Sequence, residues 1–229
     1  MNFELYDFHA EVHGTGFPLA YLFLENNGNC SGLIRTDTIA AFLIEIRLHK
    51  CIEPEFFLTD KDFAQISAAL RAWPSIKIQL CQWHMHRAIE NKLKDSKKAQ
   101  QIIYNPFVAH EKFSFIATTF IPTIETRSEK ICPKELRKNV WEIMDRHLHQ
   151  HPLIPNLAGE YLTSIQIREQ AVREIYEFCK QHSLIRLWVY LWKEWYSDNR
   201  WELWARSAYE NISILKTTMF IEGHWKVLK

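Results

Sequence analysis

The feature that most constrains this chain is a change in its hydrophobic pattern near residue 97. Before that point, short apolar runs typical of strands alternate with segments of helical spacing. From residue 97 to residue 216 the strand pattern largely disappears, and apolar residues recur three and four positions apart. The sequence therefore predicts an α/β region followed by an all-helical region.

The α/β region begins with a predicted β-hairpin. Residues 2–12 alternate in character, glycines at positions 14 and 16 favour a turn, and residues 17–25 form a short apolar run. A helix follows, with residues 36–38 as its expected cap. Further along, the patterns predict a strand at 54–59, a helix at 63–73 ending before Pro74, a strand at 76–80 and a helix at 84–93. This order predicts a mixed sheet with helices.

The all-helical region carries two helix-start signals and many tryptophans. Pro133 is expected to open one helix, and Thr163 with Gln166 has the pattern of a capping box at the start of another. Tryptophans form two stripes at helical spacing, which are Trp188, Trp192 and Trp195, and then Trp201 and Trp204 with Ala208. We interpret these indoles as the core of this region and not as surfaces on which bases stack.

Composition limits the function classes. The 28 basic and 27 acidic residues leave a formal net charge of only +1, so the chain is neither a polybasic tail nor an acidic linker. Its five cysteines are odd in number and widely spaced, and no signal peptide precedes them, which indicates a reducing compartment. The most apolar stretches are too short to span a bilayer, so we expect no membrane role.

Asp60 and Asp62 follow a predicted buried strand, within the sequence Leu-Thr-Asp-Lys-Asp. Strand ends at the edge of an α/β sheet are places where ligands bind, and carboxylates there can hold a divalent cation against a phosphate. The alternative is that both acids merely cap the following helix.

Cys81 and His84 have a Cys-x-x-His spacing at the next junction between strand and helix. Such a pair could supply half of a zinc site, but a structural site needs four ligands. The nearest other cluster, at residues 147–151, lies far away in the sequence. We therefore expect a buried cysteine and a hydrogen-bonded histidine, and we do not expect zinc.

The C-terminal residues 217–229 predict a final helix with Thr217 and Thr218 at its cap. Glu222 and Lys226 are four residues apart, which could make a simple exposed ion pair. The same face could instead present a carboxylate to a metal ion and two lysines, Lys226 and Lys229, to nucleic-acid phosphates.

Together these motifs resemble those of one family. Residues 58–62, Trp73-Pro74, the Cys81 and His84 pair, and the series Thr217, Thr218, Glu222 and Lys229 are similar to motifs of the Mutator-like element (MULE) transposase domain. That domain is a DDE nuclease with an RNase H-like fold, and residues 16–21 resemble its second and third strands. The resemblance covers nearly the whole chain.

The resemblance implies a fold, a division into domains and a metal site. It implies a partial RNase H-like core at residues 1–96, a helical insertion at 97–216, and a last core helix at 217–229. Asp60 and Glu222 would be the second and third catalytic acids and would bind Mg²⁺ or Mn²⁺. Cys81 and His84 would be the family's Cys-x-x-His signature, with a structural role.

The chain also departs from the family. The RNase H-like sheet begins with a strand that carries the first aspartate, whereas Met1 already lies in the predicted hairpin. The only nearby acid that could replace this aspartate is Asp7, which would lie in the second strand of that sheet. We do not expect its side chain to reach the catalytic site. We therefore expect a copy truncated at both ends that cleaves DNA poorly or not at all.

By resemblance, the partner is DNA at transposon ends, the location is the nucleus, and a homo-oligomer is an open possibility. Arg87 and Lys92, in a basic stripe, are candidates for DNA binding together with Lys226 and Lys229. Two other functions stay open: a domesticated, non-catalytic DNA-binding regulator of transcription, and a helical interaction module with no role on DNA.

Overall fold

The computed structural model describes residues 2–26, 32–94, 104–123, 131–218, 221 and 223. The chain divides into two compact units. The first contains residues 1–85 and 213–229, and the second contains residues 86–212. The fold is mixed α/β, and every strand of the described residues belongs to the first unit.

The chain begins with the predicted hairpin, formed by β1 (Asn2–Val12) and β2 (Thr15–Asn26). His13 and Gly14 make the turn with positive φ angles of 52° and 81°, which is the two-residue geometry that suits a twisted hairpin. The antiparallel register shifts between Phe8 and His9. On the face of β1 that carries Phe8, this ring stacks on Phe57 and Trp73.

The first unit also contains a parallel strand pair. This pair consists of β3 (Phe56–Thr59) and β4 (Lys77–Leu80), which are joined through α2 (Phe63–Ala72), and α3 (Gln82–Lys94) begins directly after β4. These elements match the predicted order. Among the described residues, the strands form two separate two-stranded sheets, one antiparallel and one parallel.

Helix α1 (Gly32–Lys50) packs against α2, and its start differs from the prediction. Thr36 and Thr38 lie inside the helix and do not cap it. Their hydroxyls donate to the carbonyls of Gly32 and Ile34, four residues earlier. A threonine inside a helix can hydrogen-bond its hydroxyl in this way. The run of polar residues at 36–38 therefore does not mark the start of α1.

Among its described residues, the second unit contains helices and turns and no strand. It contains α3 from His86 onward, followed by α4 (Pro106–Lys112), α5 (Arg137–His149), α6 (Ser164–Gln181), α7 (Ile185–Leu191) and α8 (Asp198–Trp201). A 3₁₀ turn, Lys134–Leu136, separates Pro133 from α5. The capping box predicted from Thr163 and Gln166 is confirmed, with both of its reciprocal bonds formed at the start of α6.

The second tryptophan stripe is not a regular helix, so that prediction is wrong. A π-helix at Trp192–Tyr196 continues α7, and α8 then runs for only four residues. Trp204 lies in a turn, where its indole N–H donates to the carbonyl of Trp195 at 2.7 Å. Burial of the large rings therefore overrides helical spacing. The prediction that these indoles are core is confirmed, since all five are at most 8% exposed.

The predicted last helix falls mostly outside the described residues, of which Ile221 and Gly223 are both helical. Among the residues that the structure describes, none of the helices combines the length and the hydropathy needed to cross a bilayer.

Candidate functional site

Asp60 lies directly after β3, at the carboxyl end of the parallel pair. Its side chain is 45% exposed, and its Oδ1 lies 2.6 Å from Nδ1 of His84, in the first turn of α3. The indole of Trp83 packs edge-on against the His84 ring, with centroids 4.7 Å apart. Two consecutive strand ends therefore bring a solvent-accessible carboxylate and an imidazole together.

Asp62, the other acid of the motif, has a structural role. Its Oδ1 accepts a hydrogen bond from the backbone N–H of Ala64 at 2.9 Å and so caps α2. Both of its carboxylate oxygens also accept from the Arg35 guanidinium, at 3.1 and 2.6 Å, and these bonds raise the pKa of Arg35. Capping of α2 thus explains the position of Asp62 in the motif. Asp60, in contrast, contacts His84.

Cys81 joins three segments of the first unit. Its backbone N–H donates to the carbonyl of Thr59 at 2.8 Å, which extends the pairing of β3 and β4. Its fully buried Sγ accepts from the backbone N–H and the hydroxyl of Thr218, at 3.3 and 3.4 Å. The next residue, Gln82, donates its N–H to the carbonyl of Lys216 at 2.9 Å.

The structure therefore brings together three motifs that are far apart in the sequence. The strand end with Asp60, the Cys-x-x-His pair and the threonines before Glu222 meet at one end of the parallel pair. Sequence patterns did not reveal the link between Cys81 and Thr218, because no spacing rule covers so distant a pair. Glu222, Lys226 and Lys229 lie outside the described residues.

Asp60 suits the role of a magnesium ligand, since it offers hard oxygen donors at an accessible strand end. Glu222, the second expected ligand, is outside the described part of the chain. Within the described ranges, no three His, Cys, Asp or Glu side chains lie close enough together to hold a metal ion. Within these ranges, Asp60 is the carboxylate that the expected Mg²⁺ or Mn²⁺ site would use.

Asp7, the candidate substitute for the first acid, has a buried side chain in β1. Its Oδ2 lies 2.6 Å from Nε2 of His9, and the two side chains are only 1% and 2% exposed. Across the hairpin, Asp7 is paired with Tyr21, and burial followed by the charge of Asp7 raises the pKa of that phenol. Asp7 is thus part of a buried pair within the hairpin.

The two described candidates for DNA binding differ in exposure. Arg87 is exposed on α3, whereas Lys92 is half-buried, with its ammonium 5.9 Å from the centroid of the Tyr190 ring. Of this pair, Arg87 is the more accessible to a phosphate.

The second unit contains a buried polar network that the sequence did not reveal. His147 is fully buried; its Nε2 lies 3.0 Å from a carboxylate oxygen of Glu174, and its Nδ1 lies 2.8 Å from the Tyr196 hydroxyl. Because the carboxylate only accepts, Nε2 carries the proton and Tyr196 donates to Nδ1. Burial lowers the pKa of His147, and the hydrogen bond from His147 lowers the pKa of Glu174 to about 2.

The remaining histidines of the 147–151 cluster are also engaged. His149 Nδ1 lies 2.8 Å from the carbonyl of Asp145, and His151 lies within hydrogen-bonding distance of the backbone of Leu153 and Tyr209. These contacts give each ring a structural role.

Comparisons with protein-family models, curated proteins and solved structures find no match to this chain.

Proposed function

We propose that this chain is a MULE-type transposase domain, with an RNase H-like core, of the nuclear kind that cleaves DNA and transfers its strands in transposition, and that by itself it cleaves DNA poorly or not at all. The observation that supports this proposal is the meeting of three distant motifs at one end of the parallel pair. Asp60 lies 2.6 Å from His84, and Cys81 accepts hydrogen bonds from Thr218. These are the motifs on which the resemblance depends.

In this proposal, Asp60 and Glu222 hold divalent cations against a DNA phosphate. A bound Mg²⁺ or Mn²⁺ would activate water or a 3′-hydroxyl and stabilise the leaving oxygen. The protein contributes carboxylates in fixed positions. Arg87, Lys92, Lys226 and Lys229 would contact the DNA backbone, where basic side chains neutralise phosphates.

A combined metal-binding and nicking assay tests the proposal. We expect the chain to bind Mn²⁺ weakly, measured by electron paramagnetic resonance of the free ion, and to nick supercoiled plasmid slowly at most when Mn²⁺ or Mg²⁺ is present. Asp60→Asn and Glu222→Gln should each weaken Mn²⁺ binding and abolish nicking, because each removes a charged ligand. Asp37→Asn is the control, since it removes one exposed carboxylate of the same unit.

Two outcomes would contradict the proposal. Nicking that persists in both Asp60→Asn and Glu222→Gln would show that the activity does not use these acids. DNA binding without Mn²⁺ binding or nicking would favour the second candidate, a domesticated, non-catalytic DNA-binding regulator.

A further inference from the structure

The Cys-x-x-His motif contacts two different segments of the first unit through its two ends. Cys81 immediately precedes α3, and the N–H of Met85 donates to its carbonyl at 2.9 Å, so the motif forms the first helical turn. Residues three apart lie on the same side of a helical turn. The spacing of the motif thus lets both side chains act at the same end of the parallel strand pair.

The first end of the motif holds the segment at residues 216–218. Thr218 is only 8% exposed, and its backbone N–H and hydroxyl both donate to the fully buried Cys81 Sγ. A buried backbone N–H requires an acceptor, and here the thiol sulfur supplies it. The bond from Gln82 N–H to the Lys216 carbonyl at 2.9 Å fixes the same segment from the backbone.

The second end of the motif contacts Asp60. Nδ1 of His84 lies 2.6 Å from Oδ1, and the edge of Trp83 packs against the imidazole. The backbone bond from Cys81 to Thr59 fixes the strand end beside it. The imidazole is therefore in direct contact with the carboxylate.

We infer that Cys81 and His84 are positioning residues, which we call the Cys81–His84 clamp. His84 orients the carboxylate of Asp60, and Cys81 holds residues 216–218, the segment that precedes Glu222 in the chain. The inference rests on the proposed function, since it assigns the clamp to the two acids of that site. It requires no metal at Cys81.

Hydrogen exchange of the Thr218 amide tests the first end of the clamp. Cys81→Ala removes the acceptor, so we expect Thr218 to exchange faster by about tenfold or more, while Cys81→Ser restores most of the protection because its hydroxyl can accept. The control is Cys179→Ala, which removes another fully buried thiol in the second unit. Protection that is unchanged in Cys81→Ala, or lost equally in Cys179→Ala, would overturn this part of the inference.

A pair of His84 variants tests the second end. An asparagine amide nitrogen lies near the position of Nδ1, whereas a glutamine amide nitrogen lies near that of Nε2. We expect His84→Gln to weaken Mn²⁺ binding by about tenfold or more, as loss of a residue that orients a metal ligand does, and His84→Asn to retain most of it. The nicking rate at saturating Mn²⁺ should follow the same order.

Equal losses in the two His84 variants, or no loss in either, would overturn the assignment of His84. If the wild-type chain neither binds Mn²⁺ nor nicks DNA, the proposed function fails, and with it the role of His84 in orienting a metal ligand. The Thr218 exchange measurement still decides whether Cys81 holds residues 216–218. If the wild-type chain binds Mn²⁺ and the His84 variants match it, only the positioning role fails.

Discussion

The two units fill their interiors in different ways. In the first unit, α2 presents Ala68, Ala69 and Ala72, each at most 1% exposed, and such small side chains allow α1 and α2 to pack closely. In the second unit, Trp188, Trp195 and Trp204 are fully buried together with Tyr176 and Tyr196. The second unit therefore buries five large rings, whereas the two helices of the first unit pack through small side chains.

The polar contacts of the two units also differ in how deeply they are buried. In the second unit, the ring of His147 is fully buried between Tyr196 and Glu174. In the first, Asp60 and His84 meet at a strand end and are 45% and 22% exposed. Accessible ionisable groups at strand ends suit ligand binding, whereas a buried network fixes the packing of helices. Four measurements can test this contrast.

The largest expected effect is the loss of a buried indole. Trp195→Ala should lower the free energy of unfolding by about 3–5 kcal/mol, because it leaves a cavity and removes the contact with Trp204. Urea unfolding followed by fluorescence measures this change. The control is Trp83→Ala, whose indole is 40% exposed in the first unit. Equal losses in the two variants would contradict burial of the Trp195 indole as the source of this stability.

The next effect concerns the bonds of Arg35 to Asp62 and Glu4 in the first unit. Arg35→Ala should cost about 1–3 kcal/mol, since the guanidinium bonds both oxygens of Asp62 and one of Glu4. Arg35→Lys should restore little of the lost stability, because an ammonium cannot form the same pair of hydrogen bonds to one carboxylate. Arg71→Ala, which breaks an exposed ion pair with Asp37, should cost at most about 1 kcal/mol. A full recovery in Arg35→Lys would contradict the role of the guanidinium.

The third effect is a pH dependence that comes from the second unit. Burial holds the pKa of His147 below its usual 6.5, so the unfolded chain takes up this proton first and acid favours unfolding. For one proton, the loss is at most about 2 kcal/mol between pH 6.5 and 5. His147→Gln should remove this slope, whereas His49→Gln, at an exposed site in α1, should retain it.

Below about pH 4.5, a second group contributes to the change of unfolding free energy with pH. The pKa of Glu174 lies at about 2 in the folded chain, so its stabilising contribution is present above 4.5 and is lost as the pH falls toward 2. An unchanged slope between pH 7 and 5 in His147→Gln would contradict a buried, neutral His147.

The smallest effect compares two threonines. Thr163→Ala should lower the free energy of unfolding by about 1 kcal/mol because it removes the cap of α6, and Thr163→Ser should be close to neutral. Thr38→Ala should be neutral or stabilising, since Thr38 lies inside α1 and alanine favours helices. Circular dichroism during thermal unfolding measures both. A loss at Thr38 equal to that at Thr163 would contradict these assignments.

Sequence patterns predicted the elements of the first unit well and part of the second. The hairpin, both short strands, α2 and the capping box of α6 follow from residues at most a few positions apart, whose effects on the backbone are local. The start of α1 and the second tryptophan stripe were predicted wrongly. In the first case threonine hydroxyls bond inside the helix, and in the second the buried rings determine the backbone path.

The amino-acid order alone therefore determined the alternation of strands and helices, the helical character of residues 104–216 where described, and the choice of Asp60, Cys81 and His84 as candidates. Only the tertiary structure decided that Asp62 is bonded to Arg35, that His84 lies against Asp60, and that Cys81 accepts from Thr218. Local patterns act through the backbone between near neighbours. Contacts between distant residues depend on how complete helices and strands pack, and no spacing in the sequence records that packing.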